Sequence, residues 1–228
     1  MKIKICGITR PEEIEYLREI GADFAGFVFF EKSKRNLSYE KAAELLSLVP
    51  DGMKKVAVVV SPDAEQVERL QSMGFDLLQI HKELTESVVN AVSIPIWYAV
   101  NISDETQLLD KLTIIEKLGD NSQKIKGIVV DGANFGSGQV FNWHKSKRLL
   151  KAGTQSPPEA KEEDSILSKI LADREFVLAG GLNSENVREG ISLFSPDVVD
   201  VSSGVEGECG KDHDKILVFA KAVRTETE

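Results

Sequence analysis

The stretch Met1-Lys2-Ile3-Lys4-Ile5-Cys6-Gly7-Ile8-Thr9-Arg10 decides the fold. Ile3 and Ile5 alternate with polar neighbours at the period of two that marks a strand. The alternation runs straight into Cys6-Gly7, and Pro11, Glu12 and Glu13 follow. Proline suits the first position of a helix, and acids suit its positive end. Ile14, Leu17 and Ile20 then form an inner face, and Gly21 ends the helix. One βα unit is complete, with a thiol where the strand stops.

The unit recurs eight times along the chain. The predicted strands are Lys2–Cys6, Phe24–Phe29, Lys55–Val60, Leu77–Ile80, Ile96–Val100, Ile125–Val130, Phe176–Ala179 and Val198–Val201. Helical patterns fill the gaps. Ser38 caps one that carries Ala42, Leu45, Leu46 and Val49 and stops at Pro50; Ser61-Pro62-Asp63 opens one with Val67 and Leu70. Ser103-Asp104 opens another with Leu108, Leu112 and Ile115, and Phe141 with Trp143 begins an apolar one. Eight parallel units joined by right-handed crossovers close most economically into a (β/α)8 TIM barrel, an α/β fold, here a single domain over residues 1–228. Gly153–Ser165, rich in proline, serine and acids, breaks the rhythm and is expected to be a solvated insertion at the barrel's N-terminal face. The tail at 224–228 is expected to fray.

Composition narrows the function classes. A chain of 228 residues matches a barrel that runs as one unit, and 42% hydrophobic with 29% charged residues describes a soluble protein with a real core. No segment approaches the roughly 18 consecutive apolar residues of a membrane span, and the first residues lack the regions of a signal peptide. A cytoplasmic location is expected. Cys6 and Cys209 are too few for a disulfide framework and lack metal-type spacing, so no metal is expected. A net charge of −9 argues against nucleic acid. An anionic ligand would need a few placed cations or backbone N–H groups.

Side chains at the C-terminal ends of barrel strands face the ligand, which singles out a short set of candidates. Cys6 ends the first strand and Asp131 ends the sixth; His81 follows the fourth. A free cysteine is often only a small buried hydrophobe, and an aspartate after a strand is often only a loop cap. Arg35, in the loop Glu31-Lys32-Ser33-Lys34-Arg35, can grip a carboxylate with its fork, though a loop arginine is commonly just solvated. Gly180-Gly181 follows the seventh strand and Ser202-Ser203-Gly204 the eighth. Alone each reads as a turn. Together, in that order, they match the recurrent phosphate site of the fold, where glycines admit the ligand and helix starts offer N–H groups.

The run Lys4-Ile5-Cys6-Gly7-Ile8-Thr9-Arg10 closely resembles the N-terminal signature of the phosphoribosylanthranilate isomerase family. Gly21-Ala22-Asp23, Gly26-Phe27-Val28-Phe29, Lys32-Ser33 with Arg35, Gln79-Ile80-His81, and Asp131 ahead of Phe141-Asn142-Trp143 match in order. So do Leu178-Ala179-Gly180-Gly181-Leu182 with Asn186-Val187, and Val199-Asp200-Val201-Ser202-Ser203-Gly204-Val205-Glu206 with Lys211-Asp212. The resemblance implies the Amadori rearrangement of N-(5-phosphoribosyl)anthranilate in tryptophan biosynthesis, without cofactor or metal. It implies Asp131 as general acid, Cys6 as general base and Arg35 as partner of the anthranilate carboxylate. Gly180, Gly181, Ser202, Ser203 and Gly204 would hold the phosphate, with His81 as a further substrate contact. Whether Arg10 or the start of the first helix favours the Cys6 thiolate stays open.

The chain departs from the family pattern at Lys82, at Phe135-Gly136-Ser137-Gly138 and at Trp97-Tyr98-Ala99. The alternatives are another sugar-phosphate barrel enzyme, or a phosphate-ligand binding barrel without turnover. A monomer is the default expectation, with a homodimer as the alternative.

Overall fold

The computed structural model of the chain describes residues 1–102, 113–132 and 173–225. The helix predicted to open at Ser103-Asp104, up to Leu112, lies outside the described residues, as do loop 136–138, the helix start at Phe141 and Trp143, and the insertion at 153–165. Residues 113–117 are helical, and Ile115 among them is buried.

Eight strands form a closed barrel in sequence order. They are β1 (Lys2–Cys6), β2 (Phe24–Phe29), β3 (Lys54–Val59), β4 (Leu77–Ile80), β5 (Ile96–Ile102), β6 (Ile125–Gly132), β7 (Glu175–Leu178) and β8 (Val198–Val201). Every barrel pairing is parallel, and β1 meets β8 to close the ring. Besides the helical residues 113–117, the described α-helices are α1 (Pro11–Glu19), α2 (Tyr39–Leu46), α3 (Ala64–Ser72), α4 (Glu86–Ala91), α5 (Val187–Phe194) and α6 (His213–Arg224). Ser38, Asp63, Thr85 and Asp212 each accept a backbone N–H in the first turn of α2, α3, α4 and α6. Those caps are why the helices begin where they do. Gly21, at φ +56°, supplies the left-handed residue after α1. A two-stranded ribbon, β9 (Glu206–Gly207) with β10 (Gly210–Lys211), follows β8. The last helix continues through Arg224, whose Nη2 donates to the Gly21 carbonyl at 3.0 Å, and Thr225 donates to the Lys221 carbonyl, so two residues of the stretch expected to fray are held by hydrogen bonds.

The two-residue period of each strand sorts side chains between two cores. Ile3, Ile5, Phe27, Ala57, Ile80, Ile128 and Val199 face outward and pack with the helices. Phe24, Val28, Val56, Val58, Trp97, Ala99, Val129, Val177 and Val198 fill the barrel, with Cys6 and Phe30 against them. The floor is built around Trp97. Its ring lies 4.7 Å from that of Phe24, and its Nε1 donates to Glu175 at 3.2 Å. Lys2 pairs with the same glutamate at 2.6 Å.

Strand ends differ from the sequence expectation by a residue or two. β3 and β7 each lie one residue earlier than predicted, and β5 and β6 extend two residues further because Asn101 pairs with Asp131 and Ile102 with Gly132. Asp131 is therefore the penultimate residue of β6.

Gly127 makes the floor possible. A Cβ there would fall 2.4 Å from Trp97 Cδ1, an atom of a ring that is 1% exposed and hydrogen-bonded. Gly127→Ala should therefore destabilise the barrel by about 1–3 kcal/mol, the usual range for overpacking, as measured by urea unfolding. Unchanged stability would show that the Trp97 ring is not held there.

Candidate active site

A cavity of about 400 Å³ opens at the C-terminal mouth of the barrel, within the size range of small-ligand sites. Cys6, Arg35, His81, Asp131, Gly180, Gly181, Ser202 and Ser203 all line it, so sequence candidates from six separate regions converge on one space.

Cys6 is half-buried and ends β1. Two glycines give it room. A Cβ on Gly26, its register partner in β2, would sit 3.1 Å from the Cys6 sulfur. Gly7, at φ +84°, turns the chain away, and a Cβ there would fall 2.4 Å from Arg35 Cδ. That bare backbone lets the Arg35 side chain lie across the end of β1. The Cys6 carbonyl accepts from Ser202 Oγ at 2.8 Å, which ties the thiol's strand to the loop after β8.

The charges around Cys6 come from residues that sequence reading had not assigned to the site. Lys4, on the same face of β1 and fully buried, donates to Asp200 Oδ2 at 2.7 Å. Burial opposes its charge, yet Asp200 and Cys6 hold its pKa above that of an ordinary lysine. Lys211 Nζ donates to the Ser202 carbonyl and Oγ, both at 3.1 Å, and to Glu206 at 2.9 Å. Burial pushes the Cys6 thiol up and Asp200 adds to that, while Lys4 and Lys211 pull it down; the net direction is up. Arg10 is engaged elsewhere, with Glu13 at 3.1 Å, Glu12 at 3.0 Å and the Lys211 carbonyl at 3.2 Å. The start of α1 is closed by buried Glu13, which accepts from the Thr9 N–H at 2.7 Å. The cations acting on Cys6 are thus Lys4 and Lys211.

Asp131 stands on β6, three strand steps from β1 around the ring through β8 and β7. It and Cys6 therefore approach the cavity from well-separated parts of the wall. Arg35 makes a two-point ion pair with Glu206, through Nε to Oε1 and through Nη2 to Oε2 at 3.1 Å. Lys34 adds a contact of 2.7 Å to the same carboxylate. Burial alone would raise the Glu206 carboxyl, but Arg35, Lys34 and Lys211 hold it at about 2. His81, 9% exposed at the end of β4, lies 2.8 Å from Gln79 Nε2 through its own Nε2.

The two late loops form one wall. Gly180 and Gly181 take φ of +82° and +69°, and Ser203–Val205 make a short 3-10 turn. Gly204 stands behind the wall: a Cβ there would lie 2.0 Å from the Leu182 carbonyl oxygen, so its bareness locks the two loops together. Asn183 accepts from the N–H groups of Glu185 and Asn186 at 2.8 and 3.1 Å, and Asn186 donates to the Gly181 carbonyl at 3.0 Å. Asn186 stands at the N-cap of α5.

The family model described as N-(5'-phosphoribosyl)anthranilate isomerase matches residues 3–222. The isomerase of that name from Streptococcus gordonii is 35% identical over 224 residues, covering 98% of this chain and 97% of the relative. That from Thermoanaerobacter pseudethanolicus is 35% identical over 230 residues, covering 98% of each. The crystal structure of phosphoribosyl anthranilate isomerase from Thermotoga maritima superposes with a TM-score of 0.78 at 31% identity over 98% of both chains. A crystal structure of this isomerase in complex with reduced 1-(o-carboxyphenylamino)-1-deoxyribulose 5-phosphate gives 0.76 at 30% identity, again over 98% of both. The chain belongs to the N-(5'-phosphoribosyl)anthranilate isomerase family, the aldose-ketose isomerases of tryptophan biosynthesis.

Proposed function

We propose that Asp131 and Cys6 divide the Amadori rearrangement of N-(5-phosphoribosyl)anthranilate between them as general acid and general base. The observation that carries this assignment is their meeting in one cavity from the ends of β6 and β1, with Arg35 and both late loops around them. Asp131 protonates the furanose ring oxygen, the C1–O bond breaks, and an iminium forms between C1 and the anthranilate nitrogen. The Cys6 thiolate then takes the proton from C2. The resulting enolamine gains a proton at C1 while the C2 hydroxyl loses its own, giving 1-(2-carboxyphenylamino)-1-deoxyribulose 5-phosphate. Atoms and charge balance, as an isomerisation requires.

Gly180, Gly181, Ser202 and Ser203 take the phosphate, because backbone N–H groups freed by glycine and a short helical turn suit an anion. Gly204 serves the same site by holding the loops together. Arg35 takes the anthranilate carboxylate. Glu206 occupies its Nε and Nη2 and fixes the plane of the guanidinium, so the fork is already oriented before a ligand arrives. His81 borders the same space. A monomer is the state we infer, since Met1, Leu48 and Val218, the exposed large apolar side chains among the described residues, lie on three different parts of the chain. A Thermotoga maritima relative is described as dimeric.

Following the fluorescence of freshly made phosphoribosylanthranilate tests the assignment. Cys6→Ser and Asp131→Asn should each lower turnover by about 10²–10⁴-fold, the worth of acid or base help, with the circular dichroism spectrum unchanged. Near-normal turnover by either variant would remove that residue from its role, and none by the intact chain would favour a binding barrel. Glu206 gives a second prediction, on stability. Its carboxyl titrates near 4.3 in an unfolded chain but at about 2 in the fold. Its contribution is complete above the unfolded value and is lost as pH falls toward 2, on the order of 3 kcal/mol in all. Glu206→Gln should flatten the fall of unfolding free energy between about pH 4.5 and pH 2. An unchanged slope in urea titrations at those pH values would contradict the ion-pair hub.

A further inference from the structure

We propose that Lys4 and Asp200 form a buried charge pair that sets the protonation of Cys6, with the Lys4 ammonium as counter-charge to the thiolate and the Asp200 carboxylate as its opponent. The inference rests on the reading of Cys6 as the base and adds two positioning residues to it.

Placement is the first argument. Lys4 precedes Cys6 by two residues on a strand, so both side chains face the barrel interior. Asp200 is the register partner of Lys4 across β1 and β8, and the two meet at 2.7 Å with side-chain exposures of 0% and 6%. Energetics is the second. A buried ion pair is a poor way to stabilise a core, since apolar residues of equal volume do as well or better. Its presence directly beneath the cavity therefore asks for another reason.

The pair is also lopsided. Asp200 lines the cavity, and its Oδ1 is buried without a hydrogen-bond partner among the described residues. Lys4 has three N–H donors and spends one on Oδ2. The ammonium thus has capacity left for the sulfur above it, and a thiolate in so enclosed a place needs a cation.

Other charged and titratable groups stand around the cavity. Lys211, from β10, acts on the thiol directly; Lys32, Lys34 and Arg35 from the loop after β2, His81 after β4 and Asp131 from β6 line the same cavity, while β2 sets Gly26 against the sulfur. Lys211 and Arg35 are both committed to Glu206. Glu206 is shared by Arg35, Lys34 and Lys211, whereas among the described residues Asp200 forms its ion pair with Lys4 alone, and Asp200 reaches the cavity.

The test reads the thiol without turnover. In a Cys209→Ser background, which removes the exposed thiol, the rate of Cys6 alkylation by iodoacetamide is followed against pH by intact mass. Asp200→Asn removes the opponent and should lower the midpoint by about one pH unit or more, a tenfold gain in thiolate at fixed pH below it. Lys4→Met should raise the midpoint by a similar amount, and the Lys4→Met/Asp200→Asn pair should fall between the two single variants. If Lys4→Met fails to fold because Asp200 is left unpaired, Asp200→Asn and the double variant carry the test. A midpoint in Asp200→Asn that rises or stays within about 0.3 unit of the parent overturns the proposal, as do single variants that shift it in the same direction. Should Cys6 not be the base, Cys6→Ser would keep its turnover while these midpoints still moved apart.

Discussion

The ion pair between Lys4 and Asp200 sits on the seam where the first strand meets the last, 2.7 Å apart and almost wholly buried. Burial pushes the Asp200 carboxyl up, and the neighbouring ammoniums of Lys4 and Lys211 resist. The barrel must hold this tension in a fixed register, because a slip of β1 by one residue would turn Lys4 into the apolar layer under the helices and leave Asp200 unpaired. The same register sets Cys6 one pleat above, at the mouth. Closure of the fold and the electrostatics of the thiol are consequences of one pairing.

A second hub organises the rim. Glu206 gathers Arg35, Lys34 and Lys211, and Lys211 in turn holds the Ser202 loop whose hydroxyl grips the carbonyl of Cys6. The network joins the loop after β2 and the loop after β8 to the end of β1. It also answers a problem set by composition. A chain of net charge −9 repels anions at long range, yet Lys32, Lys34 and Arg35 border the cavity alongside the bare backbone of Gly180 and Gly181. Attraction for an anionic ligand would be local, made by a few cations, of which Lys34 and Arg35 are held in place by one carboxylate.

Much of this was legible in the sequence because each βα unit carries its own signals. The ends of β1, β2, β4 and β8 fall where alternation and glycine place them, and Ser38 and Asp63 cap as their side chains suggest. The extension of β5 and β6 was not legible, since a strand's length depends on the neighbour that continues to pair with it. Cys6, Asp131 and the two late loops could be singled out as residues that end strands. Lys4 could not, because a lysine in an alternating strand reads as solvated until the barrel closes it against a partner 196 positions away. One signal was present: Lys4 shares the strand face of Cys6. Glu206 was hidden for the same reason, its pairing with Arg35 spanning 171 positions.

The central claim is that Cys6 and Asp131 act on opposite sides of one bound sugar. A crystal structure of this chain with reduced 1-(o-carboxyphenylamino)-1-deoxyribulose 5-phosphate tests it most directly. The account predicts the Cys6 sulfur within about 3.5 Å of C2, the spacing of a near-attack geometry, with the Asp131 carboxyl on the far side of the ribulose chain. The phosphate would lie against Gly180, Gly181, Ser202 and Ser203, and the carboxylate against Arg35. A ligand seated with its phosphate away from both late loops, or with C2 out of reach of the sulfur, would contradict it.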